Sequence, residues 1–455
     1  MFAVGNGNDN LGQGILTNVL WLPFFNIGLG MNPAKLGIVM MILRAWDAVS
    51  DPLVGNFSDN TRTRWGRRRP FILLGAILCA VFLPLFFYMP ASLKENGKLL
   101  YLTGLGIMYF TFYTVWSTGY YSLQLEMTPN YNERTRLAAW CSISQRISQF
   151  FGGWVMAIVT SRLFMSSQAN EPDLVAGCRA VSWLIAGAII LFGILPAVFV
   201  KERYYKVEAG VRKKEPFWLS MKESFSCTPL WFLIATAFLL AMGTMSVGAI
   251  GYYVNAYYVY GGDLASASVL WGWRYTFILV IGVLSIPFWT WLGEQIGKKH
   301  VVVSLLTLCV IGHWANRFLM RPEAPYLQLI SAVAEACAVS AIWMFLPSMK
   351  ADVADYDELM TSRRREGSLN AFFSWFLKAG TTLAAGVGGF VLNFSGFSAE
   401  LKQQPEAVLS RMFNLYLWIP IVLWSAAILF CLFYPLGKKR MLDIRTELEH
   451  RRGTV

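Results

Sequence analysis

Apolar residues occur in twelve long runs along the chain, and short polar segments separate these runs. Each run is close to the roughly 20 residues that a helix needs to cross a bilayer, so each predicts a transmembrane helix, here called a span. The spans are residues 11–29, 34–57, 70–89, 99–121, 137–161, 180–200, 229–258, 265–292, 301–319, 327–349, 368–395 and 412–435. We therefore expect an all-α membrane protein with twelve transmembrane helices.

The composition agrees with this expectation. Of the 455 residues, 56% are hydrophobic and 15% are charged, whereas soluble domains carry about 25% charged residues. The net charge of +12 lies mainly between the spans, which argues against nucleic acid as a partner. The sequence holds no metalloprotease motif, no glycine-rich phosphate loop and no recognisable nucleophile–base pair, so we do not expect an enzyme.

The basic residues are unevenly distributed between the two sides of the predicted membrane. The even-numbered gaps between spans, together with the carboxyl-terminal tail, hold 26 Lys and Arg, and the opposite side holds nine. Lys and Arg concentrate in cytoplasmic loops, so both termini are expected in the cytoplasm.

The longest polar stretch divides the spans six plus six, and the two halves repeat charged positions. Glu126 and Asp352 are 226 residues apart, and Arg146 and Lys378 are 232 apart. A duplicated six-helix unit is typical of alternating-access transporters, which bind their substrate between the halves. We predict a six-helix bundle at residues 1–200, a cytoplasmic loop at 201–228, a second six-helix bundle at 229–436 and a cytoplasmic tail at 437–455.

Span 2 contains three charged residues that a bilayer disfavours. Arg44, Asp47 and Asp51 follow the spacing i, i+3 and i+7, which places them on one face of a helix. Such groups normally face a cavity and pair with one another. Two carboxylates one turn apart suit a cation, either Na⁺ or a shared proton. The alternative is a structural pair of Arg44 and Asp47, with Asp51 capping backbone groups.

Arg146 in span 5 and Lys378 in span 11 are single cations in otherwise apolar helices. Each suits hydrogen bonding to a polar substrate or pairing with the span 2 carboxylates, and the alternative is a salt bridge that locks one state. Tyr120, Tyr121 and Trp343 lie in spans 4 and 10, where flat rings suit the faces of a sugar.

Several motifs together resemble one transporter family. They are WDAVSDPLVG in span 2, the following TRTRWG loop, the ERTR loop, and the set ADVADYDE, RRREG and LKAG. The chain resembles the glycoside–pentoside–hexuronide:cation symporters of the major facilitator superfamily along essentially its whole length. That resemblance implies the major facilitator fold and cation-coupled symport of a sugar or glycoside in a bacterial cytoplasmic (inner) membrane. GRRRPFILLGA also resembles proton-coupled sucrose transporters, so a sucrose-type or lysolipid-type relative is the alternative.

The resemblance also implies roles for individual residues. Asp47, Asp51 and Thr114 match the cation site of the family, and Ser117 stands where its best-known member has an aspartate used for both cation and sugar. The implied sugar site comprises Tyr121, Arg146, Trp343 and Lys378, with Asp9 or Asn10 from span 1. Because Ser117 removes a carboxylate, the coupling ion (H⁺ or Na⁺) and the substrate charge (neutral or acidic) stay open.

Charged residues at the cytoplasmic ends of the helices are expected to form an inner gate. The gating set is Asp59, Arg67, Arg68, Glu133, Arg134, Asp352, Asp355 and Arg364. No cofactor and no metal beyond a coupling Na⁺ are expected, and the protein is expected to be a monomer whose partners are the substrate, the cation and the lipid bilayer.

Overall fold

A computed structural model of the chain describes residues 2–61, 63–90, 92–127, 131–165, 172–200, 225–361 and 366–452. These residues are almost entirely helical, and their β-structure is a single bridge between Met165 and Pro172. After a first segmented helix, the helices are α2 (Pro33–Asn60), α3 (Arg69–Leu85), α4 (Glu95–Glu126), α5 (Tyr131–Val159), α6 (Leu174–Phe199), α7 (Thr228–Val259), α8 (Leu264–Ile296), α9 (Lys298–Trp314), α10 (Gln328–Thr361), α11 (Glu366–Ser395), α12 (Glu406–Phe433) and α13 (Lys438–Arg452).

Helix α1 begins earlier than its apolar run indicates. It consists of the consecutive segments Phe2–Gly5, Gly7–Asp9, Asn10–Gly14, Leu16–Leu20 and Pro23–Gly28, the last three of which are π-helical. The prediction that span 1 starts at residue 11 is therefore wrong. The hydropathy of the sequence did not predict these first turns, because they contain polar groups that hydrogen-bond to α5. Asn6 donates to the Cys141 carbonyl at 2.9 Å, and Ser148 donates to the Gly7 carbonyl at 2.8 Å.

Several helices begin at side-chain caps. The Asn32 side chain accepts from the backbone amides of Ala34 and Lys35, directly before Pro33 at the start of α2. Asp173 caps α6 and Asp263 caps α8 in the same way. The junction of α8 and α9 is Gly297, whose φ of 88° is accessible to glycine at little cost.

Eight of the helices in the described residues are long and apolar enough to cross a membrane. Helix α3 is also apolar but shorter. Helix α2 is not among the eight, because it carries Arg44, Asp47 and Asp51 within its length. These three charged residues, which keep α2 out of the set of apolar helices, are also the residues that the sequence predicts to be functional.

The chain divides into two compact units. The first comprises Met1–Arg212, Tyr252–Tyr275 and Ala385–Met412. It therefore holds the amino-terminal helices together with the end of α7, the beginning of α8 and the end of α11. Within it, Tyr253 donates to Asn26 at 3.1 Å, and a Cβ on Gly37 would lie 2.9 Å from the Gly386 carbonyl oxygen, so α2 and α11 approach closely there.

The second unit comprises Lys213–Gly251, Thr276–Ala384 and Phe413–Val455. Its core contains the fully buried Trp424, whose indole donates to the Leu240 carbonyl and thereby joins α12 to α7. Helix α13 packs on α10 through Met441, Ile444 and Leu448, a spacing that forms one apolar face.

Candidate functional site

A hydroxyl–carboxylate cluster joins α2 to α4. It consists of Asp47, Ser50 and Thr114. The Thr114 hydroxyl, which is fully buried, lies 3.2 Å from Asp47 Oδ1 and 2.9 Å from Ser50 Oγ. Ser50 also donates to the Asp47 carbonyl at 3.1 Å. Asp51 follows on the same helix and is half-buried. This part of α2 therefore offers carboxylate and hydroxyl oxygens, the ligands that hard cations prefer.

A second acidic group lies on α1. The Asp9 carboxylate accepts a hydrogen bond from the Tyr113 hydroxyl, and it also interacts electrostatically with Tyr121. The π-helical turn that follows brings the Gly12 carbonyl to the Tyr109 hydroxyl, which donates to it. Local π-turns of this kind occur often at functional sites. Helices α1 and α4 are thus connected through tyrosine hydroxyls on one side of α4.

Arg44 lies between these two acidic groups. Its guanidinium donates to the Thr17 hydroxyl at 3.1 Å and lies 5.9 Å from the centre of the Phe110 ring. Asp47, Asp9 and Tyr113 all interact with it electrostatically. One fixed positive charge therefore interacts with carboxylates from two helices, and with Asp51 on α2 the carboxylates outnumber it. An added cation can compensate the remaining negative charge.

The other residues of α1 and α4 that the sequence predicts for the site make different contacts. Asn10 donates to Ser148 on α5 at 3.4 Å. Ser117 is buried and donates back to the Thr114 carbonyl at 3.3 Å, so its hydroxyl is engaged within α4. Tyr120 is fully buried, stacks on Phe2 with ring centroids 4.4 Å apart, and donates to the Phe2 carbonyl. Tyr120 therefore acts in the packing of α1 against α4, whereas its neighbour Tyr121 is exposed.

Arg146 lies on the opposite face of α5 from the serines that bond α1. It shares a helical face with Gln149 and Gly153, at i, i+3 and i+7. Gly153 approaches Tyr275 of α8 so closely that a Cβ there would lie 2.3 Å from Tyr275 Cβ. Arg146 is half-buried on this face.

The two residues predicted for the carboxyl-terminal half lie in the second unit. Lys378 is half-buried on α11, and its carbonyl accepts from the Thr381 and Thr382 hydroxyls at 2.9 Å each. Trp343 is exposed on α10. Both are on long helices, which provide rigid positions for a binding side chain.

The predicted gating residues have partners within their own units. Asp352 is only 3% exposed, and Lys298 Nζ lies 2.7 and 2.8 Å from its two carboxylate oxygens. Arg445 of α13 lies 3.2 Å from Asp352 and 3.8 Å from Asp355. Sequence reasoning missed Lys298 and Arg445 as partners.

On the amino-terminal side, Arg68 is buried and donates to Ser58 at 2.9 Å. Arg67 is half-buried and Glu133 is exposed. Arg364 and the side chains of Asp59 and Arg134 lie outside the described residues.

Sequence reasoning also missed Ser50 in the cluster. Its signal was available, because Ser50 shares the helical face of Asp47 and Asp51.

The sequence matches the family of MFS/sugar transport proteins over residues 7–438. The chain belongs to this family. Its resemblance to glycoside–pentoside–hexuronide:cation symporters is thereby confirmed.

Two relatives align with nearly the full length of this chain. The glucuronide carrier protein homolog of Escherichia coli is 25% identical over 95% of this chain and 91% of its own. The isoprimeverose transporter of Lactiplantibacillus pentosus is 25% identical over 91% of this chain and 84% of its own.

The fold has a close counterpart among solved structures. A bacterial homologue of the human lysosomal transporter Spinster has a TM-score of 0.67 with 13% identity, and the match covers 100% of this chain and 98% of that one. The all-α membrane fold of the major facilitator type is confirmed.

Proposed function

We propose that this chain is a secondary active transporter that moves a sugar or glycoside together with a cation by alternating access. Its family and the relatives named above support sugar symport. The observation that carries the coupling is the hydroxyl–carboxylate cluster, in which buried Thr114 contacts both Asp47 and Ser50 inside a membrane helix pair. A carboxylate is costly in a bilayer unless something compensates its charge, and a transported cation does so.

The cation site in this proposal consists of Asp47, Asp51, Ser50 and Thr114. Arg44 compensates part of the negative charge of the carboxylates that interact with it, Asp47 and Asp9, and the bound cation compensates negative charge that remains in the site. The coupling ion is H⁺ or Na⁺. With H⁺ the proton resides on a carboxylate, and with Na⁺ the hydroxyl and carboxylate oxygens surround the ion.

Candidate sugar-binding residues occur in each unit: Asp9, Tyr121 and Arg146 in the first, and Trp343 and Lys378 in the second. Aromatic rings pack on sugar faces, and the charged groups hydrogen-bond hydroxyls. Arg44 donates to Thr17 and interacts with the acidic groups. Arg146 and Lys378 are half-buried cations on long helices, and in this proposal they bind the substrate. They can bond hydroxyls of a neutral glycoside or the anionic group of an acidic sugar.

The excess of Lys and Arg in the even-numbered gaps supports an orientation with both termini in the cytoplasm. The relatives come from bacteria. We place the protein in the bacterial cytoplasmic membrane, where import of the sugar follows the inward cation gradient.

Uptake into reconstituted vesicles tests the proposal. A thermal-shift screen of monosaccharides, disaccharides, uronates and sulfosugars first selects the sugar that is used as the labelled probe. We expect an imposed cation gradient to drive its accumulation, and Asp47→Asn to abolish accumulation while sugar exchange survives. Asp443→Asn, an exposed change of the same kind on α13, is the matched control. Full accumulation by the Asp47 variant contradicts the proposal.

A further inference from the structure

A buried ionisable pair lies in the second unit, apart from every residue used above. His313 near the end of α9 is completely buried, and Glu335 on α10 is 5% exposed. His313 Nδ1 lies 2.7 Å from Glu335 Oε1. An acid and a base at this depth are costly unless they share a proton or a charge.

The second ring nitrogen determines the proton count of this pair. His313 Nε2 lies 3.0 Å from the backbone carbonyl oxygen of Tyr416 on α12. A carbonyl only accepts, so Nε2 carries a hydrogen and donates. A short contact between Nδ1 and a carboxylate oxygen then needs one more proton between them. Either an imidazolium faces a carboxylate, or a neutral imidazole faces a carboxylic acid.

Other side chains lie near the pair. Cys309 on α9 and Cys337 on α10 are the nearby thiols, and the Tyr416 ring lies 4.9 Å from the imidazole. Arg317, which follows α9 along the chain, lies over the Phe413 ring at 6.0 Å. The Asn316 amide is 3.4 Å from Nδ1, which is long for a hydrogen bond.

We propose that His313 and Glu335 form a proton-binding site that ties α9, α10 and α12 together. The pair holds one proton beyond the Nε2 hydrogen, and losing it leaves a buried negative charge that faces a ring nitrogen lone pair. The site is distinct from the proposed cation site on α2 and does not depend on the proposed transport function.

This site makes the fold sensitive to alkali. In the unfolded chain above about pH 6.5 the histidine is neutral and the glutamate is ionised, so the pair holds no extra proton. The folded pair retains one, and stability therefore falls as pH rises until the folded pair releases it. The unfolding equilibrium constant increases by up to about tenfold per pH unit over that range.

Nitrogen NMR reads the proton directly, because the chain has only three histidines. His300 and His450 are exposed, and changing both to Gln leaves His313 as the single labelled histidine in a protein with a histidine-free tag. We expect the Nδ1 signal at about pH 8, where a free imidazole is neutral, to show a bound or strongly shared proton. A bare, unprotonated Nδ1 at that pH overturns the proposal.

Thermal unfolding of the purified protein between about pH 7 and 10 provides the second test. Glu335→Gln supplies an amide hydrogen to Nδ1 and removes the ionisable acid, so its stability should lose the alkaline decline shown by the unaltered protein. Glu323→Gln, an exposed change of the same kind between α9 and α10, should retain the decline. An equal decline in Glu335→Gln contradicts the proposal, and the NMR test stands even where this variant does not fold.

Discussion

Replacing Thr114 by Val tests the hydroxyl–carboxylate cluster with little change in shape. Val keeps the branched side chain in its fully buried position and removes the hydroxyl that contacts Asp47 Oδ1 at 3.2 Å and Ser50 Oγ at 2.9 Å. A hydrogen bond to an ionised group contributes about 1.5–3 kcal/mol, and about 1.4 kcal/mol corresponds to a tenfold change in an equilibrium constant. We therefore expect a roughly 10- to 100-fold rise in the cation concentration that gives half-maximal sugar uptake.

The assay is initial sugar uptake in vesicles at a series of Na⁺ concentrations and, separately, a series of pH values. Thr103→Val on the same helix is the matched control, since its hydroxyl bonds only the Leu99 carbonyl within α4. Thr114→Ser restores the hydroxyl and should restore most of the cation affinity. An unchanged cation dependence in Thr114→Val would refute the role of this cluster in coupling.

Three further predictions concern charges outside the cluster. Lys298→Met removes a partner of buried Asp352 and should lower the midpoint of thermal unfolding more than Arg445→Met does. The reason is that Arg445 is largely exposed, and exposed ion pairs contribute less than about 1 kcal/mol. Equal decreases in the two variants would contradict this. Lys378→Gln should weaken binding of a uronate much more than of its neutral parent sugar if the substrate is acidic, and competition against labelled sugar measures the difference. Charge reversal at Asp59 should alter the transport rate more than sugar affinity, and a large affinity loss at an unchanged rate would exclude a gating role.

Most of the fold was predictable from sequence because the apolar runs are long and the loops are short. The boundary of α1 was not, since Asn6 and neighbouring polar residues lie inside the helix and are satisfied by α5. Hydropathy reports only a residue's own polarity, whereas burial depends on partners from distant parts of the chain.

The candidate site shows the same limit. Intramembrane charge identified Asp47 and Asp51. Ser50 was missed, although helical spacing puts it on the same face as these two residues. The partners of Asp352 are 54 and 93 residues away along the chain, and no local pattern predicts such pairs. The sequence shows Glu335 as a single acidic residue within span 10. Its proposed role depends on His313, and only the folded structure shows that these two side chains are in contact.

Sugar-dependent cation movement tests the central claim most directly. Vesicles that contain the protein are held without any imposed ion gradient, and the selected sugar is added outside while external pH and ²²Na⁺ entry are recorded. The account predicts that the sugar drives one of the two ions inward, seen as alkalinisation of a Na⁺-free medium or as Na⁺ uptake, and that Asp47→Asn abolishes this flux. Sugar entry accompanied by neither ion would contradict the account.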